Sequence, residues 1–189
     1  MDVEYGEVLR FWLEELEPRD WYVADAAVDA RIRERFLGAW EAARGGELRD
    51  WEATARGALA LLVLTDQFPR NMFRGDGRAF ATDALARGVA RRAVARGFDL
   101  EVEAPARQFF YLPFEHSESL TDQERAVRLI AMRMDAPETL LHARAHREVI
   151  RRFGRFPYRN AALGRETSAA EKAFLEGGSY GAVLRGLQG

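Results

Sequence analysis

Residues 121–154 read TDQERAVRLIAMRMDAPETLLHARAHREVIRRFG, and the way this stretch is read decides the fold. Thr121 and Glu124 make the Ser/Thr-x-x-Glu pattern of a capping box, which predicts a helix running to about Met134. Pro137 has its φ preset and no N–H to leave unsatisfied, so it suits the first position of a second helix. That helix extends to Phe153, where Gly154 supplies a C-cap. The joint between them is only a few residues long, and a joint that short implies an antiparallel helix pair.

The same helical period recurs on both sides. Upstream, Val8, Phe11, Trp12 and Leu16 share one stripe, closed by Pro18, and Val28, Ile32, Phe36, Ala39 and Trp40 share another, closed near Gly45-Gly46. Asp50 is placed to cap a third helix whose Leu59, Leu62, Val63 and Leu64 read as deeply buried, with Pro69 and Gly75-Asp76-Gly77 as its stop. Thr82 or Asp83 caps a fourth helix reaching about Gly97. A short aromatic segment, 106–112, begins after Pro105 and halts at Pro113. Downstream, Ser168 and Glu171 make a second capping box for a final short helix fading at Gly177-Gly178. No strand pattern competes. The expectation is one all-α domain over 1–189, built from seven to nine helices covering more than about two-thirds of the residues.

Composition excludes several classes of function. Cysteine is absent, which removes disulfides, thiol catalysis and cysteine metal sites. Of 28 basic residues only Lys172 is lysine, yet 30 acidic residues leave a net charge of −2, so no chain-wide cationic field exists to hold nucleic acid. The acidic start, Met1 to Glu7, does not look like a secretory signal, and the apolar run Ala58–Leu64 is far below the roughly 20 residues that span a bilayer. The expected address is cytoplasmic, with no membrane partner and no cofactor.

The chain's only two asparagines sit in matching contexts. Phe68-Pro69-Arg70-Asn71 is followed by Gly77-Arg78 and a helix at Thr82; Phe156-Pro157-Tyr158-Arg159-Asn160 is followed by Gly164-Arg165 and a helix at Ser168. Pro, Arg and Asn at a helix end can serve geometry alone. They also supply a planar donor fork and an amide, suited to a carboxylate or phosphate. Asp66 reads as a counter-ion for Arg70. Arg155 lies within a turn of Arg159, making a local anion site if no carboxylate neutralises the pair.

Histidine offers the remaining chemistry. In Phe114-Glu115-His116-Ser117-Glu118, His116 and Glu118 can form an oriented acid–base pair, or the segment is simply a polar turn. His142 and His146 share one helix face at metal-ligand spacing, but Ala143 breaks the His-Glu-x-x-His pattern and no clear third ligand is near, so no metal is expected. His146, beside Ile150, reads as a pocket-lining residue.

The strings Leu64–Asn71, Phe80–Asp83, Gln108–Glu118 and Phe153–Asn160, in this order, resemble a bacterial family catalogued as domain of unknown function nine-two-four. The resemblance spans nearly the whole chain. It implies a tetratricopeptide-like fold, with antiparallel helix pairs in a right-handed superhelix, and carries no established activity. Its motif positions map here onto Asp66, Gln67, Arg70, Asn71, His116, Ser117, Glu118, His146, Arg155, Arg159 and Asn160; Tyr158 stands where the pattern has histidine.

Three functions remain open on these residues. One is a binding protein that holds a small anionic metabolite through Gln67, Arg70, Asn71, His116, Glu118, His146, Arg155, Arg159 and Asn160, with the two Arg-Asn motifs facing one pocket. Another is a peptide- or protein-binding scaffold, supported by fold analogy. The third is a metal-independent hydrolase or lyase using His116 or His146 as base, oriented by Glu118. The sequence assigns no oligomeric state.

Overall fold

The structure, a computed structural model, describes residues 3–188, so Met1 and Asp2 of the acidic start lie outside the described residues. Helix accounts for 76% of the described residues, and no strand occurs among them. The all-α expectation holds. The chain divides into two compact units, 1–113 and 114–189.

In the first unit, α1 (Tyr5–Arg10) runs on through a π-helical turn, Phe11–Glu15, and α2 (Ala26–Gly45) follows. Asp25 caps α2, its carboxylate accepting from the N–H groups of Ala27 and Val28. Asp50 does not cap the third helix. It falls in a 3-10 turn, Arg49–Ala53, and the cap is Thr54, whose hydroxyl accepts from Gly57 N at 3.1 Å to open α3 (Ala55–Leu62). Gly57 has no Cβ, which lets the 3-10 turn lie directly against α3: a Cβ there would sit 2.2 Å from the Trp51 carbonyl oxygen.

Pro69 does not stop this helix. After α3 the ladder widens into a π-helical turn, Val63–Gln67, in which Phe68 N donates to Val63 O, five residues back. The helix then resumes as α4 (Phe68–Met72), where Pro69 occupies the first turn and needs no N–H. With α3 and α4 counted as one continuous helix, the described residues form nine α-helices. α5 (Asp83–Arg96) packs on α3, and α2 packs on α4. Between them lies an aromatic core in which Phe68 meets Phe11, Trp12 and Phe36 at centroid distances of 6.0, 5.5 and 4.8 Å.

Pro113 likewise does not end its segment. It lies inside the short turn α6 (Leu112–Glu115), which carries the chain into the second unit. There α7 (Leu120–Arg133) and α8 (Pro137–Phe153) pack together across a three-residue joint. Glu124, early in α7, pairs with Arg147 and Arg151, late in α8, at 3.0 and 2.6 Å, so the two run antiparallel. Thr121 is not the cap; Ser119 precedes the helix and makes no side-chain cap bond, and Asp122, three residues on, accepts from the Ser117 hydroxyl at 2.9 Å. Gly154 takes the left-handed conformation (φ 68°) at the end of α8, as its position in the sequence suggested. The Ser168–Glu171 capping box opens α9 (Ala169–Glu176). A further helix, α10 (Ser179–Gln188), lies beyond Gly177-Gly178, where the sequence predicts the end of the final helix. It buries Val183 against Ala145, Val149, Ile150 and Phe156.

Candidate functional site

In the first unit, the first Arg-Asn motif is held by carboxylates. The π-helical turn buries Asp66, and Gln67 Nε2 donates to its Oδ2 at 2.6 Å. Arg70 donates to the Asp66 carbonyl and lies 3.5 Å from Asp66 Oδ1 and 3.1 Å from Asp83 Oδ1. Asn71 donates to Asp29 Oδ1 at 2.8 Å, tying α4 to α2. Thr82, at the start of α5, donates to the Thr65 carbonyl at 2.6 Å and accepts from Trp40 Nε1 at 3.0 Å. This motif therefore anchors α2, α4 and α5 through buried polar bonds.

The second motif lies in the second unit and is also clamped. Arg155 binds Glu171 through both carboxylate oxygens, 2.5 and 2.8 Å, and this guanidinium, with the Ser168 N–H, holds the Glu171 carboxyl well below the usual carboxylate range. The condition set for an Arg155–Arg159 anion site, that no carboxylate neutralise it, is not met at Arg155. Asn160 accepts from Arg165 at 3.0 Å and donates to Thr167 at 3.3 Å. Arg159 is buried, its guanidinium 4.4 Å from the Phe156 ring centroid, and it donates to the His116 carbonyl at 3.0 Å.

Glu118 is part of this clamp. Its carboxylate takes Arg165 at 2.7 and 3.0 Å and the Phe156 N–H at 2.8 Å. Partial burial pushes its pKa up, but the Arg165 bonds, the Phe156 N–H and the Arg159 charge outweigh that and leave it lowered. A depressed carboxylate stabilises the fold above its ordinary value of 4.5 and loses that contribution as pH falls through the lower folded value. Glu118→Gln is thus expected to cost about 2 kcal/mol at pH 7. The gap between variant and wild type in urea denaturation should close on acidification to pH ~3.

Glu118 does not orient an imidazole through any of these bonds. The acid that does is Glu115. It is buried, and its Oε1 lies 2.9 Å from His146 Nδ1, which also lies 3.0 Å from the His142 carbonyl. Both neighbours of Nδ1 are acceptors, so Nδ1 carries a proton; in the neutral ring the lone pair is on Nε2. Glu115 Oε2 is buried with no hydrogen-bond partner among the described residues. Gln123, fully buried on α7, donates to the carbonyls of Glu115 and Ser117 and fixes the turn that carries the acid.

A second hydrogen bond continues the chain. The Tyr180 hydroxyl lies 2.6 Å from His142 Nδ1. Burial, the Glu115 charge and Tyr158 push the Tyr180 phenol far upward, so it stays protonated and donates. The His146 ring packs 4.6 Å from Tyr180, 5.6 Å from Phe156 and 6.2 Å from His116, while its side chain keeps 17% exposure. Of the expected site residues in this unit, the fold gathers His146 and Arg159 around Phe156, with His116 beside both. Sequence reasoning missed Glu115, Gln123 and Tyr180. Among the described residues no group of three or more His, Cys, Asp or Glu could hold a metal ion. A groove of about 470 Å³ in the second unit, beside Phe174, Val183 and Leu187, is lined by none of the histidines.

These observations define an all-α protein whose second unit carries a carboxylate-held imidazole. The chain belongs to the bacterial family of proteins of unknown function DUF924, whose model matches residues 8–179. It is also similar to a solved protein of unknown function from Agrobacterium tumefaciens, at 44% identity and a TM-score of 0.86, covering 91% of this chain and 96% of that one. No curated protein matches the chain. Among the described residues no helix is long and apolar enough to cross a membrane.

Proposed function

We propose that this protein is a metal-independent hydrolase or lyase in which His146 is the general base. The observation that carries this reading is the 2.9 Å contact between the buried Glu115 carboxylate and His146 Nδ1. The carboxylate selects the tautomer that leaves Nε2 basic, and it stabilises the imidazolium formed when Nε2 takes a proton from water or from a substrate carbon. The His142 carbonyl meets the same Nδ1 and Tyr180, hydrogen-bonded to His142, packs against the ring, so both are positioning residues. The test is turnover of a panel of activated esters in the presence of a chelator. Wild type should exceed background, and His146→Gln should lower the rate about 100-fold. Glu115→Gln should act in the same direction while leaving the fold intact by circular dichroism. Wild-type rates equal to those of His146→Gln across the panel would overturn the assignment.

One observation favours a second reading, the binding of a small anionic metabolite: the buried Arg159 guanidinium lies against Phe156 and bonds to the backbone of His116. On this reading phosphate or a dicarboxylate raises the melting temperature of wild type but not of Arg159→Ala. Stabilisation that survives in Arg159→Ala would count against it.

A further inference from the structure

The first unit has an open groove of about 690 Å³ where the start of α1 meets the middle of α2 and the 3-10 turn at 49–53. Its volume lies in the range of small-molecule sites, roughly 300–1,000 Å³. Two aromatic rings form one wall: Tyr5 and Trp51 meet edge to face, centroids 6.0 Å apart with 74° between planes, so they make a corner rather than a flat stack. Gly38 opens the floor, since a Cβ there would meet nothing within 4 Å.

Among the described residues the charged lining is of one sign. Glu4, Glu47 and Asp50 line the groove and no lysine or arginine does. All three carboxylates are exposed, and among the described residues none has a side-chain hydrogen bond or ion-pair partner. Arg49, the nearest cation in sequence, folds over Gly46 instead. Elsewhere Glu15, Asp29, Glu52, Glu118, Glu124 and Glu171 are each taken by arginine.

We propose that this groove binds a small organic cation, an ammonium or guanidinium group on a short aliphatic stem. The ring corner offers its π-faces to the cation and apolar surface to the stem, and the carboxylates supply the opposite charge. A neutral compound of the same length has only the apolar share. An anion is repelled by all three acids.

Agmatine is the probe, with 1,4-butanediol as its neutral counterpart and sodium chloride matched for ionic strength. Trp12, Trp21 and Trp40 are buried, at 1, 7 and 2% exposure, so a change in tryptophan emission on adding a surface ligand reports Trp51. Calorimetry provides the second readout. Agmatine should produce a saturable signal that butanediol and salt do not. The double variant Glu47→Gln/Asp50→Asn should weaken binding about tenfold, since two exposed charges together supply that much. Gly38→Leu should abolish binding by filling the floor while every carboxylate stays. Equal response to butanediol, insensitivity to both variants, or no saturation with agmatine would overturn the proposal. So would light scattering that shows a dimer dispersed by Gly38→Leu, which would make a second copy of the chain the occupant.

Discussion

Phe68→Ala is expected to lower the unfolding free energy by about 4 kcal/mol, the upper part of the range for a buried aromatic cut to a methyl. Phe68 is fully buried and its ring meets Phe11, Trp12 and Phe36, with Trp12 in turn on Phe109, so the cavity opens among rigid rings. Large planar side chains cannot collapse into the space as leucines can, which is why the higher cost applies. Chemical denaturation followed by far-ultraviolet circular dichroism measures it. A loss below about 1 kcal/mol would mean that the aromatic cluster relaxes far more freely than close packing allows.

Gly57→Ala is the second large effect, and its sign opposes helix propensity. In an open helix the change would stabilise by about 1 kcal/mol. Here the new Cβ would lie 2.2 Å from the Trp51 carbonyl oxygen and 3.1 Å from Thr54 Oγ1. The first contact is with backbone, so the 3-10 turn must move away from α3, and the Thr54 cap on Gly57 N moves with it. The expected cost is about 3 kcal/mol. Gly38→Ala, in α2 with open space around its Cβ, is the control and should be neutral or stabilising by up to ~1 kcal/mol. A clear drop in melting temperature for Gly57→Ala beside an unchanged or slightly raised one for Gly38→Ala separates the clash from propensity. If Gly57→Ala melts like wild type, the turn is not seated as described.

Much of the fold was legible because helix signals are local. The stripe Val28–Trp40, Pro137 at a helix start, Gly154 at its end and the Ser168–Glu171 box all act through neighbours one turn away. Where the reading failed, the deciding contact was distant or invisible to pattern. Asp50 and Thr54 are both acceptable caps, and the choice fell to the absence of a Cβ at Gly57. The π-helical turn at 63–67 has no sequence signature, so Pro69 read as a stop. The three glycines at 178, 181 and 186 hid α10, whose Val183 is held by packing on α8 rather than by propensity. At the candidate site, His116, Glu118 and His146 were visible as residue types. Which acid meets which imidazole was not, because Glu115 and Glu118 differ in burial and partners rather than in chemistry.

The widened turn at 63–67 makes the helix from 55 to 72 tolerant of a change in length in a way that an ordinary helix is not. It holds one residue more than a regular ladder would need, and each residue of an α-helix advances about 100° around the axis. The turn absorbs that residue as a bulge. With one residue fewer between them, the bond from Phe68 N to Val63 O would become an ordinary four-residue step, and Phe68, Arg70 and Asn71 would keep their phase with the helix before the turn. A single-residue deletion inside the turn should therefore disturb the packing of Phe68 far less than one in α3, where nothing absorbs the rotation of about 100°.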